Sequence, residues 1–244
     1  MGIKYKDSVL DKILIVGSAP SAPLVADWDT SVFDAVVVIN NAWRAVPQWT
    51  HLIHPEDFPT ERRPEVIPTG RVKISADTYV EAQNKYGGFV YAGGTMAFTA
   101  AYWALDAFRP KALHFFACDM VYPKSGATHF YGTGAADPLR KDPTLVSLTA
   151  KARRLQICAA QQNCAVVNLS TDDSVLPYPR GALSGRLTPP RSEPYDTDVA
   201  RDAAALEKQA GYFVPSGRYW DDIEQFDADV IARIDAMWLR AFDF

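Results

Sequence analysis

Cysteine is scarce: Cys118, Cys158 and Cys164 are the three the chain has, an odd number without Cys-x-x-Cys spacing. That excludes a disulfide framework and a zinc knuckle as organisers of the fold. Long apolar runs are also missing, none approaching the ~18 residues of a membrane span. The opening MGIKYKDSVLDK carries charge where a secretory leader needs an apolar stretch. The expectation is a chain without a membrane span, working in a reducing cytoplasm. Positive charge is not in excess, since 25 Lys and Arg stand against 29 Asp and Glu, for a formal net charge of -4. With no basic field to attract a phosphate backbone, nucleic acid is not an expected partner.

Several catalytic signatures are absent too. There is no Gly-x-Ser-x-Gly elbow, no His-Glu-x-x-His, no Walker loop and no Gly-x-Gly-x-x-Gly. His51 and His54 with Glu56 and Asp57 are metal-ligand types, but in a strand two histidines three apart point to opposite faces. No metal site is expected from them.

What remains is a pattern of short apolar runs alternating with longer helical stretches, the mark of βαβ units and a mostly parallel, buried sheet. Strands are expected at 12–17 (KILIVG), 34–40 (DAVVVIN), 50–55 (THLIHP), 71–75 (RVKIS), 88–92 (GFVYA), 112–119 (ALHFFACD) and 164–170 (CAVVNLS). Helices are expected at 95–108 and 144–163. The fold class is therefore α/β, a Rossmann-like sheet with helices on both faces and a helical C-terminal extension. A proline-rich stretch without periodicity divides the chain into a core, 1–176, a connector, 177–194, and the extension, 195–244. In the last segment Ile223, Phe226, Val230, Ile234, Met237, Trp238 and Ala241 recur at helical spacing. This apolar face packs on the core or, alternatively, joins two copies of the chain.

Polar and small residues cluster where the predicted strands end, and in a parallel sheet those ends share one ligand-binding edge. The first turn, Gly17, Ser18, Ala19, Pro20 and Ser21, offers hydroxyls and backbone N–H groups to a ligand oxygen, with Pro20 suited to start a helix. Asn40 and Asn41 offer amides to a base or sugar hydroxyl. Gly93 and Gly94 allow close approach, and Thr95 can cap the helix that follows. Asp119 ends a strand, and His129 lies in a Gly/Ser-rich loop with Tyr122 and Tyr131. A loop histidine of ordinary pKa can act as general base near neutral pH; these two are the catalytic candidates. His114, inside ALHFFA, reads as a core residue.

Taken in order, these motifs resemble the bacterial sialyltransferases of glycosyltransferase family 42, and a wider Rossmann-like group that includes archaeal 6-hydroxymethylpterin diphosphokinases. Gly17, Pro20 and Ser21 follow the family's strand-Gly-Asn-Gly-Pro-Ser opening, although Ser18 and Ala19 stand in place of its Asn-Gly. Asn40 matches the asparagine ending its second strand, GGTMAF its Ser-Gly before an apolar helix, and Asp119 the end of its Gly-Ile-Asp strand. THFYG matches its Ser-His-Tyr-x-Gly base motif, and NLSTDDSVLPYP, with Ser170 and Ser174, its late serine segment. The resemblance implies a metal-independent sugar transfer from a CMP-sugar type donor, with no cofactor, His129 as base, and Tyr122 or Tyr131 at the phosphate. The acceptor stays open. Two alternatives accompany it: a diphosphotransferase whose Mg²⁺ is held by Asp119, Glu56 and Asp57, and a non-enzymatic nucleotide-binding or assembly protein.

Overall fold

The computed structural model of the chain describes residues 10–122, 126–133, 141–183 and 192–243. Six of the apolar runs form strands, each shorter than its run: β1 (Lys12–Val16), β2 (Ala35–Ile39), β3 (His51–Ile53), β4 (Val72–Ile74), β5 (Ala112–Phe116) and β6 (Ala165–Asn168). They lie in the order β4-β3-β2-β1-β5-β6, and every pairing is parallel. Val and Ile dominate β1 and β2, where both faces are covered; β2 is buried at all five positions.

The two faces are covered differently. Ile13, Ile15, Val37, Leu113 and Phe115 face the helices α3 (Met96–Phe108) and α4 (Leu148–Ala160). Leu14, Val16, Val36, Val38 and Phe116 meet short 3-10 segments at Ala22–Asp27, Thr30–Val32 and Asn40–Arg44. His114 lies on this second face, 5.2 Å from the Phe33 ring, as the core reading expects.

One expected strand is a helix. The run 88–92 forms the single-turn helix α2 (Phe89–Ala92), bracketed by Gly88 at φ 85° and Gly93 at φ 84°. An apolar run buried all round has no periodicity to tell strand from helix, and the flanking glycines turn the chain out of the extended region. Helix α1 (Ala76–Lys85) was not expected, since its exposed face is largely polar.

From β1 to β4 the chain steps outward in one direction, then returns through α1, α2 and α3 to lay β5 on the other side of β1. Strand order therefore reverses between β1 and β5. This is the Rossmann-like arrangement, and the reversal opens a crevice at the C-terminal ends of those strands.

At the C-terminus, α5 (Thr197–Ala210) and α6 (Ala228–Arg240) complete the helical layer. The last segment is not one helix. Asp227 caps α6 by accepting from Asp229 and Val230 N–H, which splits the expected run from a 3-10 turn at Tyr219–Gln225. Of the expected apolar face, Phe226, Ile234, Trp238 and Ala241 are buried within the chain, and Ile223, Val230 and Met237 are partly buried against the same core. Buried charges join the layer: Lys151 meets Asp235 at 2.7 Å, and Arg154 grips both carboxylate oxygens of Glu207 at 2.7 and 2.8 Å. Trp238 Nε1 donates to the same glutamate at 2.8 Å. Of the expected connector, residues 184–191 lie outside the described residues. The part before them hugs β6, with Gly181 N–H donating to Asn168 O and Asn168 N–H to Pro179 O.

Candidate functional site

The crevice between β1 and β5 holds a cleft of about 280 Å³. It is lined from the first turn by Gly17, Ser18 and Ala19, from the end of β2 by Asn40 and Asn41, and from α3 by Thr95 to Ala97. The loop after β5 adds Tyr122, His129 and Tyr131. Nine of the residues expected at the site thus share one cavity. Pro20, Ser21, Gly93, Gly94, Asp119, Ser170 and Ser174 do not line it.

The first turn is shaped by packing as much as by any ligand. A Cβ on Gly17 would lie 2.3 Å from the carbonyl oxygen of Ala117, so only glycine lets the end of β5 come this close. Gly17 N–H donates to Phe116 O at 2.9 Å and Ala19 N–H to Ala117 O at 3.1 Å. Two backbone donors expected to meet a ligand are therefore engaged by β5. The segment that follows is a 3-10 helix starting at Ala22, with Pro23 rather than Pro20 in its first turn.

At the end of β2, Asn40 adopts φ 52°, a left-handed conformation that asparagine tolerates better than most residues. Asn41 is 3% exposed, and the Oδ1 atoms of both asparagines are buried with no hydrogen-bond partner among the described residues. Leaving a buried acceptor unsatisfied costs about 1–3 kcal/mol, which a donor group on a bound molecule would recover.

Thr95 caps α3, its hydroxyl accepting from Phe98 N–H at 3.4 Å. Met96 and Ala97 border the cleft, so the helix end whose N–H groups have no intrahelical acceptor faces it. Gly93 serves the fold instead: a Cβ there would lie 3.0 Å from Lys151 Cγ.

His129 is half-buried. Its Nδ1 lies 2.8 Å from Thr128 Oγ1, and its ring stacks on Tyr131 at 4.9 Å and 21°. Tyr122 stands 6.1 Å away on ring centroids. Burial pushes the imidazole below its ordinary pKa of 6.5, so it is neutral at physiological pH. A tight turn closes the loop, with His129 and Gly132 exchanging backbone hydrogen bonds at 3.0 Å.

Asp119 points elsewhere. Its Oδ2 accepts from Ser170 Oγ at 2.8 Å, and burial raises its pKa against the opposing effect of hydrogen bonds from Ser170, Ser174 and Asn168. It sits between Ala117 at φ 54° and Met120 at φ 53°, a strained turn that its carboxylate ties to the loop after β6. It does not line the cleft.

Among the described residues no group of three or more His, Cys, Asp or Glu gathers where it could hold a metal ion. Asp57 borders the cleft; Glu56 and Asp119 do not. The three-carboxylate set of the diphosphotransferase alternative is not assembled. His51 packs on Trp103 and Phe108, and His54 on Phe58, each pushed below the ordinary pKa by burial.

Sequence reasoning missed most of the wall supplied by the loops after β3 and β5. Phe58, Pro59 and Arg62 come from the first, Cys118, Met120 and Val121 from the second. The signal was available, because every loop at the C-terminal edge of a parallel sheet is a candidate wall, whatever its composition. Comparison of the chain with protein-family models, with curated proteins and with solved structures finds no match.

Proposed function

We propose that the cleft binds a mononucleotide and that the protein is a glycosyltransferase, moving a sugar from a nucleotide donor, of the CMP-sugar type, to an acceptor hydroxyl. The observation that carries this reading is the meeting of His129, the Gly17–Ala19 turn and the Asn40 and Asn41 side chains, whose Oδ1 atoms have no partner among the described residues, in one cavity at the β1/β5 reversal. The ordered motif resemblance to sialyltransferases supports the same choice.

In this reading the asparagine carbonyls accept from the base or ribose, and the first turn of α3 faces the phosphate. His129 keeps its proton on Nδ1, donated to Thr128 Oγ1, which leaves the Nε2 lone pair as the base. Nε2 takes the acceptor's hydroxyl proton as the acceptor oxygen bonds to the anomeric carbon. The bond from that carbon to the phosphate oxygen breaks, and the nucleotide leaves with the electron pair. Tyr122 and Tyr131 stand beside the histidine to support the departing charge.

The test is thermal unfolding with CMP, UDP, GDP and ATP, each with and without Mg²⁺. A ligand at about 100 times its Kd adds about 2.7 kcal/mol, which raises the midpoint by roughly 5–11 °C at this chain length. A metal-free shift with CMP is expected. A shift with ATP only in the presence of Mg²⁺ would favour diphosphoryl transfer, and no shift with any nucleotide would overturn the nucleotide reading.

A further inference from the structure

The loop after β3 is fastened by arginines. Arg63 donates to Glu56 O at 2.7 Å and to Phe58 O at 2.8 Å, Arg44 to Glu61 O at 3.2 Å, and Arg71 to Pro47 O at 2.6 Å. Trp43 Nε1 donates to Arg62 O at 3.0 Å and so holds the backbone of the one arginine that differs. Arg62 lines the cleft, and among the described residues its guanidinium has no hydrogen-bond or ion-pair partner. Three arginines spend their donors on backbone carbonyls of this loop and its neighbours, while the fourth keeps five N–H donors on the cleft wall.

The surroundings favour an anion there. Phe58 and Pro59 give that wall an apolar backing, which strengthens a charge pair beside it. The first turn of α3, the positive end of a 13-residue helix, borders the same cavity. Asn41, almost fully buried and with no partner for Oδ1 among the described residues, offers the same cavity an acceptor that a ligand could meet. Asp57 also borders it, so replacing Arg62 would leave a lone carboxylate facing any bound anion.

We infer that Arg62 is a specificity-determining residue that pairs with an oxyanion, a carboxylate or a phosphate, of the molecule occupying the cleft. The inference rests on the cleft's being the ligand site, and not on which nucleotide it takes. A guanidinium meets either oxyanion with two parallel N–H···O bonds, which chloride cannot accept.

The experiment follows arginine Nε–Hε resonances of the full chain by NMR, with Arg62 identified by its loss in Arg62→Gln. Sodium phosphate, sodium acetate and sodium chloride are titrated at constant ionic strength and neutral pH. A saturable shift of Arg62 with phosphate or acetate, and none with chloride, is expected; the stronger of the two responses names the group. No saturable response to either oxyanion overturns the inference. Calorimetry with CMP separates it from the reading above: Arg62→Gln is expected to weaken CMP by about tenfold or more if the phosphate is the partner. CMP binding with a silent Arg62 would sink the inference alone. An oxyanion response without binding of any nucleotide would sink the nucleotide reading and leave Arg62 in place. Arg62 is exposed, so the variant should fold, and circular dichroism checks this.

Discussion

The backbone N–H of Phe130 donates to the carbonyl of Ser18 at 3.1 Å. That bond fastens the loop bearing His129 to the first turn of the sheet edge, across more than a hundred residues of chain. His129 and the turn are thereby held as one unit before any ligand arrives; if the histidine is a base, such preorganisation lowers the cost of reaction.

If His129 is the general base, His129→Ala should lower kcat by about 10²–10⁴-fold. In the native protein the acid limb of kcat/KM should fall below the ordinary histidine value of 6.5, because burial depresses this imidazole. Thr128→Val removes the partner of Nδ1 and should move that limb. A pH–rate profile unchanged in both variants would rule the histidine out.

Asp119 is expected to behave differently. Asp119→Asn keeps an acceptor for Ser170 and should retain activity within about tenfold with an unmoved acid limb, whereas loss of a true catalytic group costs about 10² or more. Asp119→Ala should instead lower stability, by about 1–3 kcal/mol for the buried Ser170 hydroxyl left unpaired. Denaturant unfolding beside steady-state kinetics separates the two outcomes.

Gly17→Ala places a methyl 2.3 Å from Ala117 O and 2.9 Å from Cys118 Sγ, and the backbone carbonyl leaves it little room to relax. A loss of about 1–3 kcal/mol or more is expected, together with weaker ligand binding as β1 and β5 part. Wild-type stability in this variant would contradict the packing described.

The Lys151–Asp235 pair should show the asymmetry of buried charges. Lys151→Met or Asp235→Leu alone leaves one charge buried and should cost about 3–5 kcal/mol. The double variant should recover most of that loss. Additive losses in a urea-unfolding cycle would mean that the pair is not coupled.

His51 and His114 are pushed down to about 4 by loss of hydration. The unfolded chain protonates its histidines near 6.5, so between that value and about 4 it binds protons the folded state refuses. Stability should therefore fall as pH drops through this window, by up to roughly 3 kcal/mol per histidine. His114→Phe should flatten its share, which unfolding of both proteins at about pH 7 and about pH 5 would reveal. An equal pH effect in the two would show that His114 is not buried neutral.

Much of the fold was readable because its signals are local. Thr95 caps α3 where the pattern expects, and six strands fall inside their apolar runs. Periodicity failed where burial was complete, at Phe89–Ala92, and where one aspartate outweighed an apolar stripe, at Asp227. Parts of the site were readable for the same reason: Ser18 and Asn40 follow strand ends, which share an edge, and Thr95 starts a helix at that edge.

Local chemistry could not say which way Asp119 would turn, because that depends on Ser170, 51 residues later in the chain and brought close by the pairing of β5 with β6. Nor could it set Arg62 apart from Arg44, Arg63 and Arg71, whose guanidinium groups meet backbone carbonyls while that of Arg62, among the described residues, meets none. Strand and helix type follow from neighbours within a few residues, whose spacing is written in the chain. The direction of a polar side chain follows from which distant partner satisfies it, and only the packed sheet supplies that partner.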